Sequence, residues 1–192
     1  RIAPGLVLAA AHCVINFLRN APHLPNYIHF TAGVHKDKNA GHAVAACVIF
    51  PDDFNIEAQT LSKPDLRTRL ASRDFLRRDI ALIVLKADTA SAGLIAAAPV
   101  QLPAGQSVSH AGYHRDRRQM LMLDEGCKVQ GTAGDLIATD CDAVAGSSGG
   151  PVLVETDGKL AVAAVMVASS QDASFAVPLS AWPRMLANPA CP

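Results

Sequence analysis

The pattern that most limits the fold of this chain is a succession of short, apolar, β-rich runs. They occupy 5–8, 28–32, 43–50, 80–85, 107–111, 119–123, 128–130, 136–138, 150–154, 159–167 and 174–177. Most are bounded by Gly, Pro, Asn, Asp or Ser, the residues that turns demand. Many short strands with frequent turns make a barrel or sandwich, not alternating strand–helix units. Two stretches read as helical. Leu61–Arg78 spaces Leu61, Leu66, Leu70 and Phe75 among five arginines, and Pro178–Leu186 spaces Leu179, Trp182 and Met185. Pro64 and Pro183 limit both. The Ala/Pro/Gly-rich stretch 87–105 reads as an ordered connector. A boundary near 94–103 then divides the chain into subdomains 1–96 and 97–192.

Composition removes several function classes. At 192 residues the chain is one domain or two small subdomains. Half its residues are hydrophobic and 18% are charged, which argues against disorder. The longest apolar runs, Leu6–Ala11 and Ala161–Ala168, fall far short of the ~20 residues of a spanning helix, so no membrane partner is expected. Seventeen basic and seventeen acidic residues cancel, leaving no electrostatic case for nucleic acid. Arg115, Arg117 and Arg118, and the arginines of 67–78, read as solvated faces. None of the five cysteines forms a CxxC or CxxH, and the spacings of His23, His29, His35 and His42 match no usual ligand motif. No metal is therefore expected. The odd cysteine count leaves one thiol free or a partner missing. The chain opens at Arg1 and runs at once into the core-like Leu6–Ala11, so it reads as a fragment whose start lies upstream.

Three segments carry candidate chemistry: Ala10-Ala11-His12-Cys13, Arg78-Asp79-Ile80-Ala81-Leu82-Ile83, and Asp142 through Pro151. Ser148 has glycines two before, one after and two after. Such a turn lets backbone approach a substrate and can aim N–H groups at one point, as an oxyanion hole requires. His12 ends an apolar run, and Asp79 borders a strand that must be buried, where a carboxylate needs donors. Each has a plain alternative when taken alone: a Gly/Ser surface loop, a satisfied core histidine, an Asp bridged to Arg77 or Arg78. Chain order narrows the catalytic options. The order Ser, acid, His of a G-x-S-x-G elbow fails because no histidine follows Ser148. The order Asp, His, Ser fails because no acid precedes His12. The order His, Asp, Ser is supplied by His12, Asp79 and Ser148.

In combination, Leu6-Val7-Leu8-Ala9-Ala10-Ala11-His12-Cys13, Arg78-Asp79-Ile80-Ala81-Leu82 and Gly146-Ser147-Ser148-Gly149-Gly150-Pro151 resemble the three signatures of trypsin-like, chymotrypsin-fold serine peptidases. The bacterial branch is the nearest in look. Ala111-Gly112-Tyr113, Asp124-Glu125-Gly126-Cys127 and Asp140-Cys141-Asp142 resemble it too. The resemblance covers about residues 1–182. It implies an all-β fold of two antiparallel β-barrels with the active site between them and a short C-terminal helix. The N-terminal strands that the family places before the histidine are missing. Ser148 would be the nucleophile, His12 the general base and Asp79 its orienting carboxylate, with the Gly146 and Ser148 N–H groups as oxyanion hole.

The departures from the family are specific. Ser147 replaces the Asp that receives a freed N-terminus, so activation by such an ammonium is not expected. Cys13 lacks the upstream cysteine that normally pairs with it. Ala9 stands where Thr or Ser is common, and Val165-Met166-Val167-Ala168 lacks the usual Ser-Trp-Gly, which changes a support of Asp79 and a pocket wall. Substrate would still run along Met166, Val167 and Ala168. Asp142, six residues before Ser148, would sit at the floor of the primary pocket and favour Arg or Lys. Cys127 and Cys141 flank a short loop and are expected to form a disulfide, worth roughly 3 kcal/mol in the chain-entropy model.

The resulting expectation is a secreted or periplasmic serine endopeptidase. It would act on polypeptides as a monomer, with no cofactor. The rival is a serine-peptidase homologue that keeps the fold and binds partners without cleaving them.

Overall fold

The computed structural model describes residues 1–56, 76–89, 93 and 95–191. The turn or two of helix expected within Leu61–Arg78 lies outside the described residues except for 76–78. Among the described residues there are twelve strands, arranged as one four-stranded sheet, one closed six-stranded barrel and one two-stranded ribbon.

The first lobe holds β1 (Leu6–Ala9), β4 (His29–Ala32), β5 (Gly41–Ile49) and β6 (Ala81–Leu85), in the order β1-β6-β5-β4. All pairings are antiparallel. The sheet is a curled half-barrel. Strand β6 lies between β1 and β5, which is why it is apolar throughout: Ala81, Leu82, Ile83 and Leu85 are all buried. Strands β2 (Ile15–Asn16) and β3 (Ala21–Pro22) form a small ribbon too short to show a sequence period.

The second lobe is a closed antiparallel barrel of β7 (Ser107–Tyr113), β8 (Leu121–Ala133), β9 (Leu136–Thr139), β10 (Pro151–Thr156), β11 (Lys159–Ser169) and β12 (Ser174–Pro178). Closure removes the sheet edges. The run at 119–123, from Leu121 on, and the run at 128–130, separate in the sequence pattern, belong to the single strand β8. The turn-like Gly126 between them is a bulge residue with φ +76°, where the pairing with β7 slips by one. The C-terminal helical signal also divides. Pro178 closes β12, Leu179–Ala181 make one 3-10 turn, and Pro183 opens the helix α1 (Pro183–Ala187) at a position that suits a residue without N–H.

One apolar cluster joins the lobes, with Leu6, Ala10, Ile80 and Leu82 against Val162, Val165, Val177 and Leu179. A disulfide between Cys47 of β5 and Cys191 crosses from the first lobe to the C-terminus. The sequence did not identify that pairing. The expected bond between Cys127 and Cys141 is formed, with Cα atoms 5.0 Å apart, and Cys13 is free.

Candidate active site

Strand β1 ends at Ala9, and a 3-10 turn over Ala11–Val14 brings His12 out of the apolar run. Ala10 and Ala11 are fully buried, which fixes the turn, while the His12 side chain keeps 30% of its surface exposed. Asp79 stands just before β6, the neighbour of β1, and is 1% exposed. Adjacent strands thus deliver the two residues to one point. The His12 backbone N–H donates to Asp79 Oδ1 at 2.8 Å, and His12 Nδ1 lies 2.6 Å from Asp79 Oδ2. The alternative partners do not compete: Arg78 bonds Asp53, and Arg77 bonds Asp53 and Asp135.

Burial opposes a charge on His12. The hydrogen bond and negative charge of Asp79, with the neighbouring Cys13 sulfur, outweigh it and hold the imidazolium pKa up to about 10.

Ser148 lies in the turn between the residues after β9 and strand β10. The turn is set by steric necessity. Gly146 has φ +102°, and a Cβ there would fall 2.6 Å from the Arg115 nitrogen. A Cβ on Gly150 would fall 2.3 Å from the Ala111 carbonyl oxygen, closer than real Cβ atoms come. Gly149, with φ +85°, brings its backbone against the end of β1; a Cβ there would stand 3.2 Å from the Ala10 nitrogen. The small residues Ala9 and Ala10 leave room for this approach. The Ser148 turn therefore packs on the same strand end that carries His12. The Ser148 carbonyl also lies 3.8 Å from Cys13 Sγ.

Backbone donors in the turn divide into two sets. The Ser147 N–H bonds the Val144 carbonyl, Gly149 bonds Met166, and Gly150 bonds Ser147. The N–H groups of Gly146 and Ser148 have no acceptor among the described residues. The buried Ser147 hydroxyl donates to the Val144 carbonyl at 2.8 Å. No hydrogen bond links His12 to Ser148 among the described residues.

A sequence model of the trypsin-like peptidase domain matches residues 1–163. The chain belongs to the trypsin-like peptidase family. No protein of curated function matches this trypsin-like peptidase. A solved structure that does match is that of a Glu endopeptidase in complex with MPD. It has a TM-score of 0.69 and 17% identity, covering 94% of this chain and 78% of that one. The shared feature at this identity is the chymotrypsin-like fold.

The other residues singled out in the sequence of this trypsin-like peptidase occupy distinct places. Asp142 is exposed, and its N–H donates to Asp124 Oδ2 at 2.6 Å. It lines a surface groove with His114, Arg115, Arg117 and Met122. Met166 and Val167 point into the core, at 1% and 5% exposure, and Ala168 is half-buried. The backbone of Met166 meets the Ser148 turn: its carbonyl accepts from Gly149 and its N–H donates to Gly150. An apolar cavity of about 590 Å³ opens between the lobes beside Cys13, Phe30, Tyr113 and Ser148. Asp124, Cys127 and Cys141 bring potential metal ligands together, but the two sulfurs bond each other and are unavailable to an ion. Tyr113, whose hydroxyl donates to the Val34 carbonyl across the lobes at 3.0 Å, had only the Ala-Gly-Tyr resemblance to mark it.

Proposed function

We propose that this trypsin-like peptidase is an active serine endopeptidase in which Ser148, His12 and Asp79 form the triad. The observation that carries the reading is the pair of hydrogen bonds from His12 to Asp79, with the Ser148 turn packed on the same strand end. Ser148 Oγ attacks the scissile carbonyl as His12 Nε2 takes its proton. Asp79 keeps the other ring nitrogen protonated and stabilises the imidazolium. His12 then gives the proton to the leaving amine, and an acyl-enzyme remains on Ser148. Water, deprotonated by His12, hydrolyses the ester and regenerates Ser148. The unengaged N–H groups of Gly146 and Ser148 receive the oxyanion at each tetrahedral stage.

In this reading the two lobes, 1–96 and 97–192, each contribute to the cleft, and the substrate is a polypeptide paired beside Met166–Ala168. Asp142, exposed at the groove, selects Arg or Lys before the scissile bond. Two disulfides suit a secreted or periplasmic protein, and no helix among the described residues is long and apolar enough to cross a membrane. The chain acts as a monomer. Kinetics on matched peptides with Arg, Lys, Glu, Leu or Ala before the scissile bond test the specificity. Glu is the informative competitor, because His114, Arg115 and Arg117 share the groove with Asp142. The basic preference is expected to fall on Asp142→Ala; an unchanged preference overturns that assignment.

A second reading, a homologue that binds without cleaving, draws on the absence of a His12–Ser148 hydrogen bond among the described residues. It predicts peptide binding without turnover.

A further inference from the structure

Strand β7 carries a histidine in the barrel wall that the triad does not use. His110 pairs with Val152 of β10 and Asp124 of β8 and is 2% exposed. Its Nδ1 lies 3.2 Å from the Pro151 carbonyl oxygen, which can only accept. Nδ1 therefore carries the proton, and Nε2 is a bare acceptor. That Nε2 is buried and has no hydrogen-bond partner among the described residues. A buried polar atom left unpaired costs stability, and an apolar residue of similar shape avoids the cost.

The surroundings of the ring are those of the Ser148 turn. A Cβ on Gly150 would fall 2.7 Å from His110 Cε1. A Cβ on Gly112 would fall 3.3 Å from His110 Nε2 and 2.8 Å from the Ser147 Cβ. The two glycines leave the room the imidazole occupies, and the ring and Ser147 converge on the space beside Gly112. Pro151, bonded by the ring, directly follows the turn. The imidazole thus backs the segment from Ser147 to Pro151 from inside the barrel.

We propose that neutral His110 is a positioning residue for the nucleophile turn. Wedged behind Ser147 and Gly150 and bonded to Pro151, it holds the conformation that leaves the Gly146 and Ser148 N–H groups open. The inference rests on the peptidase reading of that turn. His110 acts through the backbone and does not touch the reacting atoms.

The neutral form is the working form. Protonation would place an N–H at Nε2, where no acceptor waits. Burial lowers the ring's pKa from its ordinary 6.5, opposed by the Pro151 bond, reinforced by His114 and opposed by Asp124. Asp124 faces the ring from β8, His114 follows β7, and Val152 on β10 brings no charge. With a lowered folded-state pKa, the ring's stabilising contribution is complete above 6.5 and is lost as pH falls through the folded value.

The test follows the full chain by NMR from about pH 4 to pH 8, with peptide kinetics alongside. The variant His110→Gln keeps an amide donor for Pro151 and cannot titrate in this range. In the wild type, the Gly149 and Gly150 amide signals are expected to shift with His110, at a midpoint below 6.5. In His110→Gln that shift should vanish. Over the same interval, log kcat/KM of the wild type should steepen by about one further proton, and His110→Gln should lose the extra slope. His110→Phe, unable to bond Pro151, should lose about tenfold or more in kcat at pH 8 with KM little changed. Amides that ignore His110, or a His110→Gln profile that superimposes on the wild type, would overturn the proposal. If the wild type proves inert towards peptides, the peptidase reading fails, and the amide titration alone still decides whether His110 holds the turn.

Discussion

Asp79 grips His12 twice, by the backbone N–H at 2.8 Å and by the ring nitrogen Nδ1 at 2.6 Å. The first bond fixes the turn and the second fixes the ring. Asp79→Asn offers an amide whose NH₂ favours the wrong tautomer of His12. Turnover of a peptide should fall about 10⁴-fold in kcat while the fold, followed by circular dichroism, persists. A loss of less than about tenfold would mean that Asp79 does not orient a catalytic base.

The raised pKa of His12 fixes the sign of the pH response. The folded protein holds the imidazolium up to about 10, against an ordinary 6.5. The resulting stabilisation is complete below 6.5 and is lost as pH rises through about 10. Catalysis needs the neutral ring, so kcat/KM should climb with pH towards that value. Cys13 supports the cation alongside Asp79, so Cys13→Ser should move the limb to lower pH. The check is the pH–rate profile of both proteins. Identical limbs would show that Cys13 has no part in it.

Gly150 has no space for a side chain, because the Ala111 carbonyl oxygen and the Ser147 carbonyl oxygen stand 2.3 and 2.8 Å from where a Cβ would be. These are backbone atoms that cannot swing away. Gly150→Ala should destabilise the protein by about 1–3 kcal/mol or more, the range of overpacked sites. Gly158, with nothing within 4 Å of a Cβ but φ +71°, is the control for backbone strain alone. Denaturant unfolding that ranks Gly158→Ala as the more damaging change would contradict the packing of the turn.

The bond between Cys47 and Cys191 closes a loop with a sequence separation of 144. Replacing both cysteines by Ala should cost about 2–5 kcal/mol, the usual range for a native disulfide. Urea unfolding of the double variant measures it. A midpoint unchanged from the wild type would show that the C-terminus contributes nothing to the tie between lobes.

Strands and chemistry were not equally legible. The runs around β6 and β11 announced themselves because those strands are covered on both sides and stay apolar along their length. The long β8 was obscured by Gly126, since a bulge glycine looks like a turn glycine until its partner strand is known. The ribbon of β2 and β3 has two residues per strand, too few to show any period. Within the site, the segment bearing His12 was visible because a polar residue interrupts an apolar run, and the one bearing Asp79 because a carboxylate borders one. His110 lies in the β-rich stretch 107–111, but its role depends on Gly112 and Gly150 leaving space across the barrel. Cys47 and Cys191 are far apart in the chain, and nothing local marks them as partners. Asp142 was placed by counting from Ser148, whereas its contact with Asp124 depends on how β8 is held beside that segment by the bond of Cys127 to Cys141.

In the proposed mechanism Ser148 is a nucleophile activated by His12. Incubation of the chain with a fluorophosphonate, followed by intact-mass and peptide mass spectrometry, tests it most directly. One phosphonyl adduct per chain is expected, located on Ser148, absent in Ser148→Ala and strongly slowed in His12→Ala. A folded wild type that stays unlabelled as pH is raised to about 10, where the His12 base form appears, would contradict it.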